Sequence, residues 1–371
     1  MRTLNRSVAV TLAAVTITAV TACSPPEKAD ETKAGAGTAT SAADLGGMDA
    51  LVTAAKKEGA LNVIALPPNW ANYGEIIKAF GTKYGIKVNS AQPDGNSQDE
   101  INAADQLKGQ DTAPDVFDLG GAVAGANTGK FAPYKVSTFA DVADSQKEAN
   151  GLWVNDYGGY MSIGYDSAKV PAPTSVADLL KAEYKGKVAL NGDPTQAGAA
   201  FGGVQMVSIA QGGTAEDIKP GVDFFGQLKK AGNFLPVDPT SATIESGQTP
   251  VVFDWDYLNA AETPKLATWK VFVPDNAVLG SYYVQAISKD APHPAAARLW
   301  EEFLYSDEGQ NLWLKGGARP VRADAMVKAG TVDKTAYAAL PQVTGTPVFP
   351  TETQTAKAKE YLSANWAKAI G

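Results

Sequence analysis

Short apolar runs alternate with helical patterns along most of this 371-residue chain, and this alternation constrains the fold more than any other feature of the sequence. The first half contains predicted strands at residues 61–65, 86–88 and 116–119, separated by predicted helices at 73–84 and 99–107. Strands that alternate with helices are typical of a parallel sheet covered on both faces. We therefore predict an α/β fold.

A second set of alternating elements follows the first, so the same architecture is predicted to occur twice. Its predicted elements are a helix from Ser175 with Asp178 as capping-box partner, a strand at 187–190, a helix at 198–210, a helix opened by Thr214, and a strand at 251–254. Two aromatic-rich alternating strands, 160–165 and 282–287, are predicted to cross between the sets and form a hinge. Helices are expected at 294–304, 307–314 and 356–370.

The N-terminus has the order of features that is typical of a secretory signal. Arg2 and Arg6 precede an apolar run at residues 8–20, which is shorter than the roughly 20 residues needed to span a bilayer. Residues 20–23, Val-Thr-Ala-Cys, resemble the lipobox of bacterial lipoproteins. That resemblance implies acylation of Cys23 and a lipid anchor at the outer face of the cell membrane.

Composition limits the partners that the exported chain is expected to have. Residues 24–47 are mostly Ser, Pro, Lys, Glu, Ala, Gly and Thr, which predicts a flexible tether. Cys23 is the only cysteine, so no disulfide can form. The formal net charge of −8 argues against nucleic acid and anionic lipid as partners.

Four segments resemble bacterial extracellular solute-binding proteins and occur in the order found in that family. One segment, residues 294–310 with 320–322, has an alanine-rich helix, a Ser-led helix with a Gln, and a Pro-Val-Arg turn. The other three are residues 59–64, 114–119 and 246–252. The nearest branch resembles the binding proteins of polyamine, ferric ion, thiamine and phosphonate importers.

This resemblance implies a type II periplasmic-binding-protein fold, in which each of two lobes is a mostly parallel sheet flanked by helices and two crossing strands join the lobes. The expected units are a signal at 1–22, a tether at 23–47, lobe 1 at 48–158, lobe 2 at 159–277, a return strand completing lobe 1 at 278–322, and C-terminal helices at 323–371. Such a protein captures a small solute between its lobes and delivers it to an ABC permease. We therefore expect a monomer that is not an enzyme and has no cofactor.

Ligand groups in such sheets are expected beyond the carboxyl ends of the strands. In lobe 1 and the crossing strands the candidates are Asn69, Trp70, Asn96, Ser97, Asp118, Tyr157 and Tyr282. In lobe 2 they are Asp193, Thr195, Asp254, Trp255, Asp256 and Tyr257. Several have a structural alternative: Trp70 could instead staple the next helix, Asn96 and Ser97 could satisfy their own turn, and Asp193 could cap a helix.

Residues 254–257, Asp-Trp-Asp-Tyr, carry the clearest indication of ligand chemistry. Carboxylates beside aromatic rings suit an ammonium group, because ion pairing is joined by a cation–π attraction of about 0.5–2 kcal/mol. The resemblance to polyamine binders implies the same combination. Alternatively, the acids cap the next helix while Trp255 fills the core. No Lys or Arg lies between Lys187 and Lys219, so we favour a cationic or zwitterionic solute.

Other functions remain open from the sequence. Ferric ion would need a tyrosine pair, but Tyr282 and Tyr283 are adjacent and would face opposite ways in a strand, so we predict no metal site. A membrane-anchored, glycosidase-like hydrolase would need a carboxylate pair, such as Asp193 with Asp256. A binding protein for a sugar, phosphonate or ferric ion, and a surface scaffold, are the remaining alternatives.

Overall fold

The computed structural model describes residues 31–371. Its α-helices are α1 (Glu31–Thr38), α2 (Met48–Glu58), α3 (Tyr73–Tyr84), α4 (Ser97–Gln106), α5 (Gly121–Ala126), α6 (Gly198–Ala210), α7 (Lys219–Ala231), α8 (Ser241–Glu245), α9 (Asp256–Glu262), α10 (Pro294–Leu304), α11 (Asp307–Lys315), α12 (Ala323–Ala329), α13 (Lys334–Ala338) and α14 (Glu352–Ile370). Its strands are β1 (Ala60–Ile64), β2 (Lys87–Ala91), β3 (Val116–Gly120), β4 (Phe131–Ala132), β5 (Val154–Asp166), β6 (Val188–Leu190), β7 (Val251–Trp255), β8 (Trp269–Phe272), β9 (Gly280–Ser288) and β10 (Arg319–Pro320).

The long strand β5 joins the two lobes. Its first part, up to Tyr160, pairs antiparallel with β9, which also pairs antiparallel with β3. Its second part, from Met161, pairs antiparallel with β7 on one side and β8 on the other. The parallel ladders are β1–β2 in lobe 1 and β6–β7 in lobe 2. The α/β class is confirmed, and the sheet is mixed rather than mostly parallel, because both crossing strands run antiparallel to their neighbours.

A β-bulge interrupts the pairing of β5 with β9. The register shifts between Asn155 and Gly158, so that Asp156 and Tyr157 have no partners in the ladder. A bulge adds a residue to one strand and changes the direction of the side chains next to it. Here Tyr157 forms a hydrogen bond with Asp118 of β3, and Asp156 accepts one from Gln285 of β9.

Lobe 2 packs α6 closely against its sheet. Gly202 and Gly203 face β7, and a Cβ at Gly202 would lie 2.8 Å from Met161 Cε and 3.2 Å from Trp255. The absence of a side chain therefore lets the helix approach the indole of Trp255. The outer face of the lobe is covered by α7 and α14, where Phe225 packs against Trp366 with ring centroids 5.4 Å apart.

Most predicted elements have the expected positions, and α3, α6 and α10 have the predicted bounds. The prediction that a helix begins at Thr214 is wrong. Thr214 instead accepts a hydrogen bond from the Asp217 amide, and α7 begins at Lys219 with Pro220 in its first turn. The predicted helix at Ser175 is a short 3-10 turn, closed by the capping box of Ser175 and Asp178.

The flexible tether predicted for residues 23–47 needs correction over the part that the structure describes. Residues 31–47 form α1 and a 3-10 turn, and Ala36 and Ala39 are buried against the fold. The physical reason is Arg298 of α10, which is 1% exposed and donates to Ala39 O (2.8 Å) and Gly37 O (3.0 Å). Burial lowers the pKa of Arg298 to about 10. The segment therefore supplies acceptors that a buried cation needs.

The predicted signal at 1–22 and the candidate lipidation site Cys23 lie outside the described residues. In the described part, no helix has the length and apolar character needed to cross a membrane. The lobe boundaries stay predictions, although β5 exchanges β9 for β7 between Tyr160 and Met161.

Deleting residues 31–47 is expected to lower the free energy of unfolding by about 2–5 kcal/mol, because hydrogen bonds to a charged group contribute about 1.5–3 kcal/mol each. Urea unfolding of the deleted and intact proteins measures the difference.

Arg298→Met provides the control for this deletion. Without the buried guanidinium, the same deletion should cost at least about 1 kcal/mol less, because the two changes act on one contact. Additive effects of the two changes would contradict the role given to Arg298.

Candidate solute-binding site

The carboxyl group of Asp118, the third of the five residues of β3, faces the crossing strands. Its Oδ2 atom accepts hydrogen bonds from Tyr73 Oη (2.9 Å) and Tyr157 Oη (3.2 Å). Its Oδ1 atom is buried and has no hydrogen-bond partner among the described residues. One oxygen of this carboxylate therefore has two hydrogen-bond partners, and the other has none among the described residues.

The β3–β9 ladder and the bulge fix the position of Asp118. Gln285 lies opposite Asp118 in the ladder, and its amide donates to Tyr73 Oη (3.0 Å) and to Asp156 Oδ2 (2.8 Å). Tyr157, the second residue of the bulge, accepts a hydrogen bond from Trp70 Nε1 (2.9 Å). A continuous set of hydrogen bonds thus orients Asp118.

Four aromatic side chains form a wall beside Asp118. Tyr157 and Tyr283 are stacked with centroids 5.3 Å apart. Trp70 meets Tyr257 and Tyr283 edge to face, each at 6.1 Å, and Tyr257 lies 6.2 Å from Tyr157. We call Trp70, Tyr157, Tyr257 and Tyr283 the aromatic wall.

Lobe 2 contributes Asp254 and Tyr257 to the same region. The strand β7 ends at Trp255 and α9 begins at Asp256, so the chain turns and Tyr257 faces lobe 1. Gly159 of β5 makes this turn possible, because a Cβ there would collide with Asp256 Oδ1 and lie 2.7 Å from Tyr257 Cδ1. Asp254 accepts hydrogen bonds from Asn191 Nδ2 and from the backbone amide of Trp255, both at 2.8 Å.

Burial raises the pKa of Asp118 and of Asp254 to about 7 in each case. Neither carboxylate forms an ion pair with a basic side chain in residues 31–371. Burial, followed by charges that include both acids, raises the pKa of Tyr257 and Tyr283, so the two carboxyl groups lie within electrostatic range of the same rings. When these carboxyl groups are ionised, the region has negative charge that a cation would compensate.

Several predicted site residues serve their own turns instead. Asn96 caps α4 by accepting from the amides of Gln98 and Asp99. Ser97 accepts a hydrogen bond from the Gly120 amide (2.9 Å) at the end of β3. Asp193 is exposed and accepts from the amide and hydroxyl of Thr195, both at 2.8 Å. Asn69 is exposed in the loop after β1.

Three other candidates face away from the aromatic wall. Trp255 packs against α6, as described above. Asp256 is fully buried and pairs with Arg319 (3.2 Å), so its carboxylate is occupied by a lobe-connecting ion pair. Tyr282 lies against Phe349 at 5.9 Å, whereas Tyr283 is on the other face of β9.

The sequence analysis missed Tyr283, Tyr73 and Gln285 as parts of the site. Tyr283 and Gln285 are two residues apart in β9 and share one face, so the alternation of this strand was a usable signal. Tyr73 is in the first turn of α3, and no local pattern distinguishes it from an ordinary core tyrosine. Within the described chain, no group of three His, Cys, Asp or Glu side chains could hold a metal ion.

A two-lobed fold with a charged, aromatic-lined region between the lobes defines the class of solute-binding proteins. The model of the bacterial extracellular solute-binding protein family matches residues 115–343. The chain therefore belongs to this family. No curated protein sequence matches it significantly.

Solved structures with this fold cover most of the chain. A proposed extracellular solute-binding protein from Bordetella parapertussis has 16% identity and a TM-score of 0.65, covering 85% of this chain and 100% of its own. Iron-bound HitA from Pseudomonas aeruginosa has 20% identity and a TM-score of 0.62, covering 84% and 99%. The Atu4243-GABA receptor has 17% identity and a TM-score of 0.63, covering 84% and 97%.

Membership of this family establishes the general function. The protein is an exported solute-binding component of an ABC transporter that delivers a small solute to its permease, and it is not an enzyme. The hydrolase and scaffold alternatives are thereby removed.

The raised pKa of Asp254 predicts how stability changes with pH. Because the folded protein holds this proton up to about pH 7 and the unfolded chain releases it near 3.8, the stabilising effect is complete below pH 3.8 and is lost as pH rises to 7. Relative to Asp254→Asn, the wild type should lose up to about 4 kcal/mol of unfolding free energy over that range.

Urea unfolding at a series of pH values measures this difference, with the exposed Asp193→Asn as the matched control. The control should follow the wild type at every pH. Parallel curves for the wild type and Asp254→Asn would contradict the buried environment assigned to Asp254.

Proposed function

We propose that the solute is a polyamine or another amine-containing compound, held as a cation between Asp118 of lobe 1 and Asp254 of lobe 2. The observation that carries the proposal is the pair of buried carboxyl groups without a basic partner beside the aromatic wall. An isolated buried carboxylate is costly, and an ammonium group supplies the missing counter-charge. Aromatic faces add about 0.5–2 kcal/mol of cation–π attraction.

The position of the two acids links binding to closure of the lobes. Asp118 lies within β3, and Asp254 is the last but one residue of β7, so one solute in contact with both acids must touch both lobes. Such a solute binds the closed state more tightly than the open state and shifts the population towards it. A solute with two amines would give each carboxylate its own counter-charge.

Two of the structurally similar proteins bind different kinds of solute. GABA carries an ammonium group, in agreement with the proposed chemistry. Iron is bound by HitA, but here the adjacent Tyr282 and Tyr283 lie on opposite faces of β9 and cannot share one ion. The excess of carboxylates also disfavours a phosphonate or phosphate.

The protein acts as a monomer held at the outer face of the cell membrane by acyl chains on Cys23. Support for the anchor comes from the basic residues, apolar run and small residues that precede this cysteine. Two or more acyl chains are sufficient for stable attachment.

Calorimetric titration with 1,4-diaminobutane, spermidine and 4-aminobutanoate tests the solute class. At least one amine should bind, and Asp118→Asn and Asp254→Asn should each weaken binding by about 30-fold or more, because removing one partner of a buried charge pair costs about 2–5 kcal/mol.

The control is Asp193→Asn, which removes an exposed carboxylate from the loop after β6 and should leave the affinity unchanged. Ferric citrate, alkylphosphonates and sugars are titrated in parallel. Binding of one of these, with no binding of any amine, would contradict the proposed solute class while leaving the transport function intact.

A further inference from the structure

Asp118 Oδ1 and Tyr257 Oη are buried oxygen atoms that lack hydrogen-bond partners among the described residues. Trp313 Nε1, whose ring stacks on Tyr157, is a third such polar atom beside the aromatic wall. Asp118 is 8% exposed and Tyr257 is 1% exposed, so water has little access to either side chain. Buried polar groups are normally paired, and an unpaired one in a native structure indicates a missing partner.

The surrounding hydrogen bonds determine what the partner of Asp118 must be. Both hydroxyl donors, Tyr73 and Tyr157, are directed at Oδ2. The ionised carboxylate is acceptor-only, so the free Oδ1 atom requires a donor from the ligand. Gln285 donates a hydrogen bond to the Tyr73 hydroxyl and so fixes its position. The Asp118 carboxylate therefore cannot rotate without breaking these hydrogen bonds.

The charges of Asp118 and Asp254 both act on the hydroxyl group of Tyr257. Apart from burial, its raised pKa has contributions from Tyr283, Asp254, Asp256 and Asp118, so its hydroxyl remains protonated. Its ring contacts Trp70 and Tyr157, and the Tyr157 hydroxyl bonds Asp118. A neutral phenol oxygen can accept an N–H hydrogen bond from the same ligand.

We propose that Asp118 Oδ1 and Tyr257 Oη bind the N–H groups of the solute's ammonium, so that the site selects primary and secondary amines over quaternary ammonium ions. The inference rests on the proposed function and specifies which amines the site accepts. A quaternary ammonium has the same charge and could lie against the same rings, but it has no N–H to donate. Both oxygen atoms would then remain buried and unpaired, which is costly.

This selectivity separates the site from an all-aromatic cage. Such cages bind quaternary ammonium ions through ring faces and charge alone. Here the aromatic wall would make only some of the contacts with the ligand, and Asp118 Oδ1 and Tyr257 Oη would make the others. A site that hydrogen-bonds its substrate rejects an analogue that lacks the donor more strongly than an apolar pocket rejects a methyl group.

The experiment compares 1,4-diaminobutane with its hexamethylated bis-quaternary analogue, which has the same two charges and carbon spacing. Calorimetric titration of the wild type should show at least about 10-fold tighter binding of the primary diamine. Tyr257→Phe keeps the ring and removes the hydroxyl, so it should weaken diamine binding by about 5- to 10-fold and leave the quaternary analogue unaffected.

Tyr282→Phe is the matched control, because this neighbouring tyrosine of β9 lies away from the wall against Phe349. It should change neither affinity. Equal binding of the two ligands by the wild type, or a Tyr257→Phe variant that retains the full selectivity, would overturn the inference but leave the amine function standing. Failure of every amine to bind would overturn both.

Discussion

The antiparallel pairing of β5 with β9 is the constraint on which the rest of the structure depends. These strands carry the chain between the lobes, and β5 also pairs with β7, β8 and β10. A bulge at Asp156 and Tyr157 lets Tyr157 bond Asp118 of β3 while Asp156 bonds Gln285 of β9. The same strand that forms the hinge therefore orients the carboxylate that the solute is proposed to contact.

The electrostatics of the site follow from its burial. Burial raises the pKa of Asp118, Asp254 and Asp256, but of the three only Asp256 is paired with a basic side chain, Arg319, which lowers its pKa in part. Removing one partner of a buried ion pair is strongly destabilising, so the Asp256 carboxylate is needed to compensate the charge of Arg319. Asp118 and Asp254 accept hydrogen bonds from neutral groups but have no ion-pair partner, and the proposed cation would supply one.

The sequence predicted the strands well, because short buried apolar runs bounded by turns leave few alternatives. The carboxyl-terminal parts of β3 and β7 provided Asp118 and Asp254 as candidates. It could not separate Asp254 from Asp256, since only the turn into α9 sends one towards the solute region and the other to Arg319. Nor could it identify Arg298 as the buried cation that orders residues 31–47, because that contact joins segments about 260 residues apart.

A crystal structure of the protein with bound 1,4-diaminobutane would test the central claim most directly. We expect one nitrogen within hydrogen-bonding distance of Asp118 Oδ1 and Tyr257 Oη, and the second nitrogen near Asp254, with the carbon chain against the aromatic wall. Density for the diamine at another surface, or a structure in which Asp118 and Asp254 have no contact with it, would contradict the account.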